Sequence, residues 1–320
     1  MGVLARVIPE GKQARRETLA FYFSISPWII GTLFFTIGPV IASLLLSFTK
    51  YSPGVGFKLP VWLGLENYQT LIHDRIVWKS LQVTVYYTIL AVPLGIVASL
   101  SLAVLLNQDV PGLSIFRTIY YLPSVITGVA VSFLWMWILN PQFGIINYVI
   151  AVLVGPSGII PLGIQGPKWF FSEQWAVPGL VVMSLWGLGG PMIIYLASLQ
   201  GVPTPLYDAA TIDGANAWQR FRHITLPLIS PVILFTFITG MIGSFQVFTQ
   251  AYIISGGDGG PNYATMFYVL NIFMNAFRFY RMGYASALAW ILFWIILALT
   301  LLSLRASRRM IYYEAPGERR

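Results

Sequence analysis

The spacing of its charges constrains this chain more than any other feature. Six apolar runs, at about residues 21–49, 81–106, 116–139, 176–199, 228–254 and 283–304, hold no Asp, Glu or Lys in their interiors. Arg117 and Arg305 lie at run ends, where a long side chain brings its charge to the interface. About 20 apolar residues cross a bilayer as a helix. Lipid offers the backbone no hydrogen bonds, so such runs must be helical or closed into a barrel. Only 9% of the residues are charged, against about 25% in soluble domains. The expectation is an all-α integral membrane protein with six transmembrane helices. They form one membrane domain over 20–305, with an N-terminal segment at 1–19 and a basic tail at 306–320.

The runs are not uniform. Residues 21–49 exceed the crossing length, and Pro27, Gly38 and Pro39 predict a bend there. The apolar stretch 145–154 is too short to cross and reads as an interfacial or partly re-entrant helix. Trp186-Gly187-Leu188-Gly189-Gly190-Pro191 should be irregular near mid-membrane, which is tolerated only beside protein or a cavity.

Six spans put both termini on one side. On that assignment 12 of the 19 Lys and Arg fall on the side of the termini and 7 on the other, which marks the first side as cytoplasmic. This asymmetry accounts for the formal charge of +8 without a nucleic-acid partner. There are no cysteines, so disulfides and thiolate metal sites are excluded.

The longest polar interruption on the cytoplasmic side is 200–227. Its part from 203 to 227 reads as two short helices around a turn. Thr204 is placed to cap the first, and Pro205 suits its first position. Asp213-Gly214 marks the turn. Asn216 with Gln219 has the spacing of a capping box. Trp218 and Phe221 share one side of the second helix.

This segment resembles the cytoplasmic EAA loop of binding-protein-dependent ABC importer permeases. The matching residues are Asp208-Ala209-Ala210, Asp213-Gly214-Ala215, Phe221, Ile224 and Leu226-Pro227, with Asp208 where the family has Glu. Leu65-Glu66-Asn67-Tyr68, Phe116-Arg117-Thr118, Gly144-Ile145-Ile146-Asn147 and Gly259-Gly260-Pro261 resemble further elements of the carbohydrate-uptake branch, of the maltose and glycerol-phosphate type. Gln82 stands where that branch has Asn. The resemblance is to the first permease of a heterodimeric pair. It implies a type I ABC importer permease fold, two ATP-binding subunits docking on 203–227, a second homologous six-span permease, an extracytoplasmic solute-binding protein and a sugar-like substrate. It also implies a prokaryotic inner or plasma membrane location. The docking residues it implies are Tyr207, Asp208, Ala209, Ala210, Asp213, Gly214, Ala215 and Phe221. For Arg220, Arg222 and His223, lipid head groups and the ATPase are alternative contacts.

The chain has no G-x-x-x-x-G-K-[ST] loop and no intramembrane carboxylate, so neither an ATP site nor a proton relay of its own is evident. It is expected to catalyse nothing and to bind no cofactor, with ATP and Mg used by partner subunits. The alternative is a self-sufficient ion-coupled secondary carrier, since backbone carbonyls can bind sodium. An intramembrane hydrolase lacks a nucleophile–base pair, His73 and His223 falling on opposite sides. In the fifth run Thr236, Thr239, Gly240, Gly243, Gln246 and Gln250 form a stripe that either lines a solute path or packs helices. Gln246, Gln250, Trp186 and Gly189 are the candidate path residues.

Overall fold

The computed structural model describes residues 12–53, 59–108, 110–156, 158–160 and 162–307. Most of the expected N-terminal segment and nearly all of the tail lie outside the described residues. Helix α1 (Lys12–Thr32) passes through a π-helical turn at Leu33–Ile37 into α2 (Gly38–Ser47). The chain is therefore helical from Lys12, well before the apolar run. Residues such as Lys, Gln, Ala, Arg and Glu favour helix, and extending an existing helix is cheap.

Beyond α2 lies a small clasp. Strand β1 (Thr49–Lys50) pairs antiparallel with β2 (Val61–Trp62), and α3 (Glu66–His73) follows. The buried Asn67 donates from Nδ2 to the Ser47 and Thr49 carbonyls at 2.8 and 3.0 Å. Tyr68 and Ser47 share a hydroxyl hydrogen bond of 2.8 Å. Asn67 and Tyr68 thus close the otherwise unpaired end of α2, the need every helix terminus has. Asp74 caps α4 (Arg75–Leu106) by accepting from the Ile76 amide at 2.8 Å, so this span starts six residues before its apolar run. The Tyr284 hydroxyl donates to the other Asp74 oxygen at 2.6 Å and ties α4 to the last helix.

The third expected span is not one helix. Its pieces α5 (Leu113–Tyr121) and α6 (Gly128–Ile138) meet at 101°. Pro123 cannot continue the backbone ladder, and Ile126 and Thr127 are extended. The helix α7 (Ile145–Val154) follows, as expected. The fourth span is bent by 49° between α8 (Ala176–Ser184) and α9 (Gly189–Gln200), with a 3-10 turn at Leu185–Gly187 where irregularity was expected. The segment between α9 and α13 supplies α10 (Thr204–Ile212), α11 (Ala217–Arg220), a π-helical turn at Phe221–Thr225 and α12 (Leu226–Leu228).

The fifth expected span, 228–254, divides into α13 (Ser230–Phe245) and α14 (Thr249–Ile254). Then come α15 (Tyr268–Phe273) and α16 (Met282–Ser307). Among the described residues four helical stretches, with 230–254 counted as one, are long and apolar enough to cross alone, and there are six if each of the two bent pairs is one span.

Three apolar clusters hold the bundle. One joins α4, α6, α8 and α15 around Tyr87, Trp135, Leu180 and Phe267. A second joins α3, α4, α13 and α16 around Leu71, Phe245 and Leu288. The third joins α4, α9 and the start of α13 around Leu100, Met192 and Leu199, beside the segment 203–227. Small residues set the closest approaches. A Cβ on Gly283 would lie 2.0 Å from the Thr49 carbonyl oxygen, and one on Gly189 only 2.4 Å from that of Tyr120.

Candidate coupling loop and solute path

The segment between α9 and α13 owes its shape to its ends. The N-cap of α10 is Pro203, extended at φ −61 and ψ 121. Thr204 is already helical and makes no side-chain cap, contrary to the sequence expectation, and Pro205 takes the second position. The C-terminus is closed by backbone alone. The Gly214 amide donates to Thr211 at 3.1 Å and the Ala215 amide to Ala210 at 2.9 Å, with Gly214 at φ +79. This pair of bonds defines a Schellman cap, and the left-handed residue it needs is glycine. The expected capping box is present, with Gln219 N donating to Asn216 Oδ1 at 2.9 Å and Asn216 N to Gln219 Oε1 at 2.8 Å. Arg220 donates to Thr211 Oγ1 at 3.0 Å and braces the two helices.

The residues implied as docking contacts divide into two sets. Tyr207 and Phe221 anchor the loop. The Tyr207 hydroxyl pairs with Thr225 Oγ1 at 2.8 Å, and Phe221 packs into the third apolar cluster and stacks on Trp218 at 5.8 Å. Ala210 and Ala215 are half-buried. Asp208, Ala209, Asp213 and Gly214 are exposed. Among the described residues neither Asp208 nor Asp213 has a side-chain hydrogen bond or an ion pair. Beside them stand Ile212 at 87% exposure and Trp218 at 65%. Ile212 lies within the docking stretch 207–214 but is not among the individual residues that the resemblance implies; an Ile within a polar segment is the signal for it.

Two adjoining cavities of about 220 and 290 Å3 lie between α4, α6, the α8–α9 bend and α13, and share Tyr87, Ser184, Gly187 and Val247. The first is lined by Tyr195 and Pro191 of α9 and by Thr236, Gly240, Gly243 and Ser244 of α13. The second is lined by Ser124, Gly128, Trp186 and Gln250. Neither is lined by Asp, Glu, Lys, Arg or His. Trp186 meets Trp135 edge to face at 6.0 Å. Gly128 leaves room for the Gln250 amide, whose nitrogen would be 3.4 Å from a Cβ there.

Gln246 and Gln250 do not share a helix. Gln246 ends α13 at φ −105 and ψ 14, is exposed and lines neither cavity. Tertiary packing breaks the helix, because Phe245 belongs to the α13–α16 cluster and Phe248 to the α4–α6–α8 cluster. Gly189 also lines neither cavity and is instead a packing position against α5. Thr236 hydrogen-bonds the Tyr195 hydroxyl, so the stripe serves both helix packing and cavity lining.

Residues 91–312 match the family model described as binding-protein-dependent transport system inner membrane component. A relative from Bacillus subtilis (strain 168), the "Probable ABC transporter permease protein YesP", is 40% identical over 98% of both chains. The "Lactose transport system permease protein LacF" of Rhizobium radiobacter is 33% identical over 92% of this chain and 97% of its own. A permease chain from the crystal structure of a bacterial alginate ABC transporter in complex with alginate pentasaccharide-bound periplasmic protein superposes with a TM-score of 0.78 at 22% identity. It covers 95% of this chain and 99% of that one.

Proposed function

The chain belongs to the family of binding-protein-dependent transport system inner membrane components, and from that premise we propose that it passes a sugar or sugar-like solute from an extracytoplasmic binding protein into the cytoplasm. It is a multi-pass membrane permease subunit of an ABC importer, and its relatives are named as transport permeases, not enzymes. The self-sufficient carrier is not favoured. The sugar class is supported by the lactose relative and by the alginate transporter that shares the fold. It is also supported by a lining of hydroxyls, an amide and an indole, groups that suit a polyhydroxylated solute.

One observation carries the mechanism. The segment 203–227 joins α9 and α13, and those two helices both supply lining residues of the cavity of about 220 Å3. Its capped, braced helices resist bending, so a push on α10 is passed on to both walls. In this reading two ATP-binding subunits dock on the exposed Ile212, Trp218, Asp208, Asp213 and Ala209, while Tyr207 and Phe221 transmit the movement. ATP and Mg belong to those partners, and this chain holds no cofactor. A second homologous permease completes the pore in the inner membrane, with both termini cytoplasmic. Trp186 and Gln250 are the path residues retained.

The test is affinity purification of the tagged chain in mild detergent, comparing wild type with Gly214→Pro. Proline cannot adopt a positive φ and removes the amide that closes α10. Wild type is expected to bring down an ATP-binding subunit and a second six-span permease. The variant is expected to insert normally and lose the ATPase. Purification of the wild type alone would overturn the reading.

A further inference from the structure

The connection between α6 and α8 lies at the end of the bundle opposite the coupling loop, and it contains a cavity that the permease mechanism does not use. Its volume is about 490 Å3, within the range of small-molecule sites. The walls are fixed by polar contacts. Asn140 Oδ1 accepts from the Gln142 and Phe143 amides at 2.9 and 3.3 Å and sets the position of both residues. Asn147 Nδ2 donates to the Pro141 and Pro167 carbonyls at 3.3 and 3.0 Å, and its Oδ1 accepts from Trp169 Nε1 at 2.7 Å. Gly166 makes room for that amide, since a Cβ there would lie 2.4 Å from it.

On this frame the lining presents two rings and two amides. Phe143 is 61% and Tyr148 70% exposed. Gln142 and Gln165 also line the cavity, and among the described residues neither side chain has a hydrogen-bond partner. Each amide keeps two donors and one acceptor. None of the lining residues is Asp, Glu, Lys, Arg or His. Flat apolar faces beside unpaired amides, with no charge, are complementary to the alternating C–H faces and hydroxyl edges of an uncharged pyranose.

We propose that this cavity is an outer saccharide subsite, which holds part of a neutral oligosaccharide outside the membrane path. It rests on the permease reading above and adds a second point of solute contact, distinct from the Trp186–Gln250 cavity.

The chain has no cysteine, so single-cysteine variants report cleanly. Tyr148→Cys and Gln165→Cys would be made in the full complex in intact cells, with Trp62→Cys on the outer strand as a control. A membrane-impermeant maleimide would then be applied with and without maltotriose, cellotriose or raffinose. Both cavity positions are expected to label, and at least one trisaccharide is expected to slow them several-fold while leaving Trp62→Cys unchanged. Absence of labelling would mean that lipid or a partner chain covers the face, and would overturn the proposal. So would labelling that none of the three sugars slows, or equal slowing at the control. Copurification of the ATPase with the same variants separates the two readings. Its loss from the parent chain sinks the permease account, whereas its retention with unprotected cysteines sinks only the outer subsite.

Discussion

At the scale of residues, a few side chains and one missing side chain do most of the shaping. Asn67 satisfies two carbonyls at the end of α2 from a buried position. Asn67→Ala leaves both unpaired and is expected to cost about 2 kcal/mol, read as a lower midpoint in thermal unfolding of the detergent-solubilised chain. Asn67→Asp should cost more, because a carboxylate there can only accept and would face two carbonyl oxygens. An unchanged midpoint in both variants would show that the clasp contributes nothing. Gln250 is different in kind, since its amide faces a cavity and packs beside Gly128. Gln250→Leu is expected to leave assembly intact and to reduce solute uptake several-fold. Equal uptake would remove it from the path. At this scale the sequence named Asn67, Trp186 and Gln250 by residue type and motif. It did not separate Gln250 from Gln246, because a four-residue spacing predicts one face only if the helix is continuous.

At the scale of elements, the sequence was legible wherever one local rule dominated. The capping box at Asn216 and Gln219, the turn at Asp213-Gly214, the short α7 and the irregular backbone after Trp186 are all where residue chemistry put them. Expectation failed where tertiary packing decided. The break after Phe245 follows from which cluster each flanking aromatic joins, and no window of sequence contains that choice. The α5–α6 corner of 101° has a local cause, Pro123 and the extended Ile126 and Thr127, inside a run whose length alone predicted one span. The α5–α9 contact carries its own prediction. A Cβ on Gly189 would lie 2.6 Å from the Tyr121 Cα as well as 2.4 Å from the Tyr120 oxygen. Gly189→Ala should therefore push α9 off α5 and cost about 1–3 kcal/mol, the usual cost of overpacking, again read as a lowered midpoint. A neutral result would mean that the two helices separate freely.

Glu173 accepts from Asn262 Nδ2 at 3.0 Å and pairs with Lys79 at 3.2 Å, joining the segment before α8, the loop before α15 and the start of α4. Asn262 first, and Lys79 second, hold the Glu173 carboxyl below its ordinary value of 4.5. A carboxylate favoured in the folded state adds stability above its unfolded value and loses it as pH falls through the lowered one. The difference in midpoint between wild type and Glu173→Gln should hold at neutral pH and shrink progressively below pH 4.5. A difference that grows on acidification would contradict this sign. The site is solvent-exposed, so the effect is expected to be small and weakened by salt.

At the scale of the whole molecule, the chain is a bent-helix bundle with two adjoining uncharged cavities between its helices and a capped, exposed loop between α9 and α13. The six-span plan was legible from charge spacing, and the type I permease fold from the loop motif. The cavities were not, because they are made by helices far apart in sequence, meeting at Tyr87, Ser184, Gly187 and Val247. The central claim is that force enters at α10. The most direct measurement replaces Ile212 with a photo-crosslinking amino acid, irradiates native membranes and identifies the adduct by mass spectrometry. The account predicts an adduct with an ATP-binding subunit, at a yield that changes when a non-hydrolysable ATP analogue is added to inverted vesicles. An adduct with lipid alone, or a yield blind to the nucleotide, would contradict it.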